Sequence, residues 1–111
     1  MSKDLIKNEI SSLNLIRLDW TRTKMKKFSA LELVNRIDNF EHTFSVNFPY
    51  AEKYFKTDPF VKVDFYDAKE EIEYYSKSNL KFKDNQYFQN GIKHLNRAMN
   101  KIINGLAKQI N

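Results

Sequence analysis

The C-terminal stretch, residues 85–110, constrains the fold most, because its apolar residues recur with the spacing of an α-helix. Successive apolar residues are three or four positions apart throughout: Phe88, Ile92, Leu95, Met99, Ile102, Leu106 and Ile110. This spacing places them in one stripe along an amphipathic helix. Gly91, Ala98 and Gly105 lie beside the stripe at intervals of seven residues. Seven residues are nearly two turns, so these small residues stay almost aligned.

Gly91 and Gly105 are the only glycines in the chain. A glycine inside a soluble helix costs about 1 kcal/mol relative to alanine, so close packing must compensate for it. We predict that Gly91, Ala98 and Gly105 form a helix-packing groove that lets another helix of the same bundle approach closely. A groove for an external partner is the alternative.

Two further helices are predicted in the first half of the chain. Apolar residues at helical spacing extend the first from Ser2 to about Lys27. The second begins at Ser29–Glu32, which has the pattern of a capping box, with Phe28 available as a hydrophobic staple on Leu33. Phe48-Pro49 interrupts it, because the residue before a proline is disfavoured in helical geometry.

A short helical segment around 49–56 is predicted to follow this break. Asp58-Pro59 is a second start signal, with Asp58 suited to the N-cap and Pro59 to the first helical turn. The third main helix is expected to run to about Ser78. A loop and a cap at Asp84 or Asn85 should precede the C-terminal helix.

The fold prediction is an all-α, antiparallel four-helix bundle with the short segment around 49–56, forming one domain over residues 1–111. Two prolines and two glycines are few for the turns of an all-β protein of 111 residues. The predicted connections are short, which favours antiparallel neighbours.

Basic residues concentrate at the two ends of the chain, within a net charge of +5. Residues 1–28 and 83–111 are basic, whereas the two middle segments are mildly acidic. If the first and last helices are neighbours, their cations would form one basic surface: Arg17, Arg22, Lys24, Lys26, Lys93, Arg97, Lys101 and Lys108. Such a surface would bind nucleic acid through phosphate contacts.

The acidic residues of the third helix are predicted to form a solvated face opposite its apolar stripe. They are Asp64, Asp67, Glu70, Glu71 and Glu73. Paired carboxylates for acid–base catalysis are the alternative.

Aromatic residues are too numerous to fit inside one small bundle. Tyr50, Tyr54 and Phe55 lie within the predicted short segment, and Phe60 follows it. Because aromatic residues, tyrosine in particular, are enriched at interfaces, we predict a protein interface there. A small satellite core under the connection is the alternative.

The chain has no cysteine and only two histidines, far apart in sequence, and no glycine-rich phosphate loop or zinc-protease motif. We therefore expect no metal site, no cofactor and no catalytic residue. The N-terminal residues do not resemble a signal peptide, and no apolar run approaches the roughly 18 residues of a membrane-spanning helix. A cytoplasmic protein without a membrane partner is expected.

One segment resembles an enzyme motif. Arg36-Ile37-Asp38-Asn39-Phe40-Glu41-His42 resembles the Arg-x(4–6)-His motif of HEPN-family ribonucleases, which are helical bundles that act as dimers. The resemblance covers seven residues and implies RNA cleavage that uses Arg36 and His42. The family usually places a polar residue directly after the arginine, where Ile37 stands here. Six residues place the two side chains about 120° apart on one helix.

The functional prediction is a small non-catalytic binding protein that docks on a protein partner, as inhibitors, immunity proteins and accessory subunits do. Small size and biased composition are also typical of proteins from mobile genetic elements. A nucleic-acid-binding accessory protein is the alternative, and an HEPN-like ribonuclease is a remote one.

Overall fold

The computed structural model describes the backbone of residues 2–78 and 83–111 and the side chains of residues 3–78 and 86–111. These parts of the chain form five helices and no strand, which confirms the all-α prediction. The bounds are α1 Ser2–Thr21, α2 Lys27–Asn47, α3 Glu52–Lys56, α4 Pro59–Lys77 and α5 Lys83–Lys108.

The four long helices run up and down in an antiparallel bundle, with α3 at one end. At the other end, the Tyr75 hydroxyl donates to the Met25 carbonyl at 2.8 Å, and its ring lies 5.2 Å from that of Phe88. These contacts join the end of α4 to the α1–α2 connection and to the start of α5. At the α3 end, Gln109 donates to the Tyr54 hydroxyl at 2.8 Å.

The C-terminal helix α5 is the packing centre, because it contacts α1, α3 and α4, while α2 packs against α4. Five residues of its predicted stripe are buried: Phe88, Leu95, Met99, Ile102 and Leu106. Ile92 and Ile110 are partly buried against the same core. The stripe therefore faces the interior along its whole length.

The small residues of α5 lie at close contacts with two different helices. A Cβ atom at Gly91 would overlap the Ile72 side chain of α4 and lie 3.1 Å from the Ala68 carbonyl oxygen. A Cβ atom at Gly105 would lie 2.6 Å from the Tyr54 ring of α3. Ala98, between them, is fully buried.

Aromatic rings join α1, α2, α3 and α4 into one core. Phe40 of α2 meets Trp20 of α1 edge-on at 4.9 Å and Phe65 of α4 at 6.0 Å between ring centroids. One helical turn later, Phe44 stacks on Phe55 of α3 at 4.8 Å. Ring pairs of this kind contribute about 0.5–1.5 kcal/mol beyond their burial.

The predicted break after α2 is confirmed, since the helix ends at Asn47, two residues before Pro49. A carboxylate from α1 holds the turn that follows. Glu9 accepts hydrogen bonds from the backbone N–H groups of Tyr50 at 3.1 Å and Ala51 at 3.0 Å, although its side chain is only 8% exposed. The α2–α3 turn therefore has a buried anion as its acceptor.

The Asp58-Pro59 start signal is also confirmed. The Asp58 carboxylate accepts from the backbone N–H of Phe60 at 2.9 Å and of Val61 at 3.4 Å, and α4 begins at Pro59. The helix reaches Lys77, one residue short of the predicted end.

Two predicted bounds in the first half of the chain are wrong. α1 ends at Thr21 instead of about Lys27, and α2 begins at Lys27, so Ser29 lies inside the helix and caps nothing. The expected staple is absent too, because Phe28 is exposed. Tertiary contacts override the local signal, since the bond from Tyr75 fixes the backbone just before α2.

The C-terminal helix begins at Lys83 and ends at Lys108, two residues earlier at each end than predicted. The caps predicted at Asp84 or Asn85 depend on side chains outside the described residues. The predicted loop before them includes residues 79–82, which the structure does not describe.

Candidate protein-docking surface

Two of the four predicted interface residues pack into the bundle. The Tyr54 ring lies against Gly105, and the Phe55 ring stacks on Phe44 and lies 5.6 Å from Phe65. Both side chains are only half exposed and adjoin the core. They belong to a satellite core under the connection, one of the two alternatives that the sequence left open.

The other two predicted interface residues differ in exposure. Tyr50 is half-buried against the core. Phe60 is 68% exposed at the second position of α4. The Lys101 ammonium of α5 lies 5.2 Å from the centre of the Phe60 ring, which is the distance of a cation–π contact.

Phe60 has two exposed apolar neighbours along α4. Val63 is 52% exposed and Tyr66 is 60% exposed, and both lie away from the buried stripe of this helix. Lys62 and Glu70 are also exposed on this helix. We call these five residues the α4 outer face. Sequence reasoning missed Val63 and Tyr66, although their positions off the apolar stripe are a signal of exposure.

A groove of about 530 Å³ runs along the outer face between α2 and α4. Its lining combines apolar and charged side chains: Glu41, Phe55, Lys62, Val63, Tyr66 and Lys69. The Lys69 ammonium pairs with Asp38 at 3.0 Å and Glu41 at 2.5 Å. Burial lowers the pKa of Lys69, but hydrogen bonds to these two carboxylates raise it by more. The cation therefore stays charged within the wall of the groove.

The groove continues past Tyr66 as a smaller, more acidic depression of about 200 Å³ that includes Glu70 and Glu73. The hydrogen bond from the Tyr66 hydroxyl to Glu70, together with the negative charge of that carboxylate, raises the pKa of Tyr66. Within the outer face, Val63 and Tyr66 thus lie between the exposed Lys62 and the carboxylate of Glu70.

Asp64 overturns the prediction of a uniformly solvated acidic face on α4, since this residue is only 3% exposed. Arg97 of α5 donates to it twice, from Nε at 3.0 Å and from Nη2 at 2.6 Å. His94 Nδ1 lies 3.3 Å away, and His94 Nε2 is 3.5 Å from Glu71. The α4–α5 contact therefore contains a buried carboxylate with cationic partners.

Asp64→Asn is expected to destabilise the protein by about 1 kcal/mol near neutral pH, because it weakens the charge-assisted bonds from Arg97. Burial raises the pKa of Asp64, but the hydrogen bonds and charges of its partners lower it by more, so the pKa lies below its ordinary value. The ionised carboxylate is therefore favoured by folding. Its contribution is complete above about pH 4 and declines as the pH falls further.

Urea unfolding at several pH values measures this dependence. The difference between wild type and Asp64→Asn should shrink below about pH 4. Asp67→Asn removes the same charge from a half-exposed position on the same helix and should change the stability by less than about 0.5 kcal/mol. A difference that stays constant down to low pH would contradict the role of the Asp64 charge.

The cations predicted to form one basic surface divide into those held by other side chains of the bundle and those spread over its exposed surface. α1 and α5 are neighbours, and Arg17 donates to Asn96 across their contact at 3.1 Å. Arg97 is bound to Asp64, and Lys101 lies 3.8 Å from the same carboxylate. These three cations contact other side chains of the bundle.

The remaining cations are spread along the molecule. Arg22 and Lys24 line a depression of about 200 Å³ together with the carboxylates Asp19 and Glu32. Three others are exposed on α5 or before α2: Lys26, Lys93 and Lys108. Carboxylates therefore interrupt the basic surface at both Arg22 and Arg97.

The two residues of the ribonuclease-like motif contact different groups. Arg36 forms an exposed ion pair with Asp19 of α1 at 3.4 Å. His42 Nδ1 lies 2.8 Å from the Asp38 carbonyl oxygen of its own helix. In the part of the chain that the structure describes, no cluster of His, Asp and Glu side chains could hold a metal ion. Within the same residues, no helix has the length and apolarity needed to cross a bilayer.

The candidate surface is therefore defined by geometry alone: exposed apolar side chains on α4, a groove beside them and charges of both signs at its ends. No protein-family model, curated protein or solved structure shows significant similarity to this chain.

Proposed function

We propose that this chain is a small non-catalytic binding protein that docks on a protein partner through the α4 outer face. The observation that carries the proposal is the exposure of Phe60, Val63 and Tyr66 on one side of one helix. Neighbouring exposed apolar side chains with a charged edge are typical of protein–protein contact surfaces. Inhibitors, immunity proteins and accessory subunits act by docking of this kind.

The distribution of cations supports protein docking over nucleic-acid binding. A phosphate backbone is bound by many cations along a continuous path. Here Arg97 is held by Asp64, and Arg22 lies near Asp19 and Glu32. The apolar side chains of the α4 outer face are exposed to solvent. Their burial against a protein would therefore give the larger gain in binding free energy.

Phe60→Ala is expected to lower the recovery of a bound partner about tenfold, because a large exposed aromatic ring buried on binding carries much of the affinity of an interface. The measurement is capture from a lysate of the source cells by the immobilised, tagged chain, followed by mass spectrometry. Untagged copies of the chain itself are included among the proteins to be identified.

Phe28→Ala is the matched control. Phe28 is 73% exposed and, like Phe60, occupies the second position of a long helix. It lies on α2, outside the α4 outer face, so its loss should leave capture unchanged. Equal losses for the two variants, with unchanged circular dichroism in both, would rule out this surface as the docking site.

A further inference from the structure

We propose that the partner that fits the α4 outer face is a second copy of this chain, packed antiparallel through α4 about a two-fold axis at Tyr66. The inference rests on the proposed function, because it names the partner of the same surface. It follows from the spacing of the charged residues, from their lack of salt-bridge partners and from the apolar side chains between them.

The charges of the outer face are placed symmetrically about Tyr66. Lys62 precedes it by four residues and Glu70 follows it by four. On an α-helix each lies about 6 Å from Tyr66 along the axis and about 40° from it around the helix, in opposite directions. When the two α4 helices cross so that their rows of residues four apart align, a two-fold axis at Tyr66 brings Lys62 of each copy opposite Glu70 of the other, and two equivalent ion pairs form.

Both charges are available for such pairs. Lys62 is exposed and forms no salt bridge within residues 3–78 and 86–111. Glu70 is also exposed and accepts only from the hydroxyl of Tyr66 in those residues. Lys69, by contrast, is already paired with Asp38 and Glu41 in the groove wall.

Apolar side chains fill the space between the two ion pairs. The axis places the Tyr66 rings of the two copies against each other, in a geometry open to ring stacking. Val63 lies on the side of Tyr66 away from Lys62 and flanks this ring contact. The open groove beside Val63 and Tyr66 leaves room for these side chains.

Net charge favours this face over the others for self-association. The chain carries +5, so two copies repel each other unless the contact surface has locally balanced charge. The first and last segments are basic, whereas α4 belongs to a mildly acidic one. A face that contains both members of an ion pair at symmetric positions is complementary to itself.

Sedimentation velocity of the full chain, at protein concentrations up to about 200 µM and about 150 mM salt, measures the association. We expect a monomer–dimer equilibrium. Lys62→Glu and Glu70→Lys should each weaken the dimer about tenfold, because each replaces two attractive contacts with two repulsive ones. Lys93→Glu makes the same charge change as Lys62→Glu on α5 and should leave the dimer unchanged.

The two weakened variants provide the decisive experiment when they are mixed in equal amounts. In the mixed dimer, both contacts again join opposite charges, so association should return to within about threefold of wild type. The double variant with both substitutions should recover in the same way. A folding defect in either single variant would not be repaired by mixing, and circular dichroism of each variant checks this directly.

A wild type that stays monomeric at about 200 µM overturns the inference. A dimer that Lys62→Glu weakens no more than Lys93→Glu does, or one that mixing fails to restore, also overturns it. None of these results decides the proposed function, which depends on whether Phe60 is needed for capture from the lysate. A monomeric wild type whose capture of a partner still needs Phe60 would show that a different protein occupies the surface.

Discussion

Replacing Gly91 with leucine is expected to lower the free energy of unfolding by about 3 kcal/mol, because the position has no space for a side chain. Even a Cβ atom would overlap Ile72 and lie 3.1 Å from the Ala68 carbonyl oxygen. Ile72 is fully buried, and Ala68 contributes backbone, so neither can move away without separating α4 from α5. The gain of about 1 kcal/mol in helix propensity offsets only part of this cost.

Gly105→Leu provides the comparison within the same helix. Its Cβ atom would meet the Tyr54 ring at 2.6 Å, but that ring is half exposed and can rotate toward solvent. The variant should lose the hydrogen bond from Gln109 to Tyr54 and about 1 kcal/mol of stability. Urea denaturation measures both variants. Equal losses of stability in the two variants would contradict the inference that the contact of Gly91 with α4 is rigid and that the Tyr54 ring of α3 can move.

Replacing Glu9 with alanine is expected to destabilise the protein by about 2 kcal/mol, because two charge-assisted hydrogen bonds disappear from a buried turn. The Tyr50 N–H loses its acceptor, whereas the Ala51 N–H keeps a second bond to the Phe48 carbonyl at 3.1 Å. The loss of stability should therefore be greatest in the connection between α2 and α3.

Urea denaturation gives the global effect of Glu9→Ala, and amide hydrogen exchange gives its location. Exchange should accelerate at Tyr50 before it changes in α5. Glu32→Ala removes an exposed carboxylate from α2 and should change the stability by less than about 0.5 kcal/mol. Unchanged exchange at Tyr50 in Glu9→Ala would show that the turn holds its conformation without this acceptor.

Local sequence signals predicted the ends of a helix correctly where the interaction that sets the end lies between residues close in sequence. Asp58 caps α4 with its own side chain, and Pro49 excludes a continuous helix through its own ring. The Ser29 capping box failed because a contact from Tyr75, far along the chain, decided where α2 begins. Capping contributes about 1 kcal/mol, which a tertiary contact readily outweighs.

The candidate surface was predictable only in part. Phe60 was among the expected interface residues, and Val63 and Tyr66 could have joined it, since all three lie off the apolar stripe of α4. The packing of Tyr54 and Phe55 against the core could not be predicted from the spacing of apolar residues in the sequence. It depends on a glycine of α5 and a phenylalanine of α2 that lie opposite them only after folding.

The sequence by itself determined the number, type and approximate extent of the helices and the inward stripe of α5, because helical periodicity is a property of neighbouring residues. Only the tertiary structure decided which charges are buried. Asp64 has its arginine 33 residues away, and Glu9 has the Ala51 N–H 42 residues away. A carboxylate is buried only where such partners replace its hydrogen bonds to water. Its burial therefore depends on the tertiary structure and cannot be predicted from the spacing of apolar residues around it.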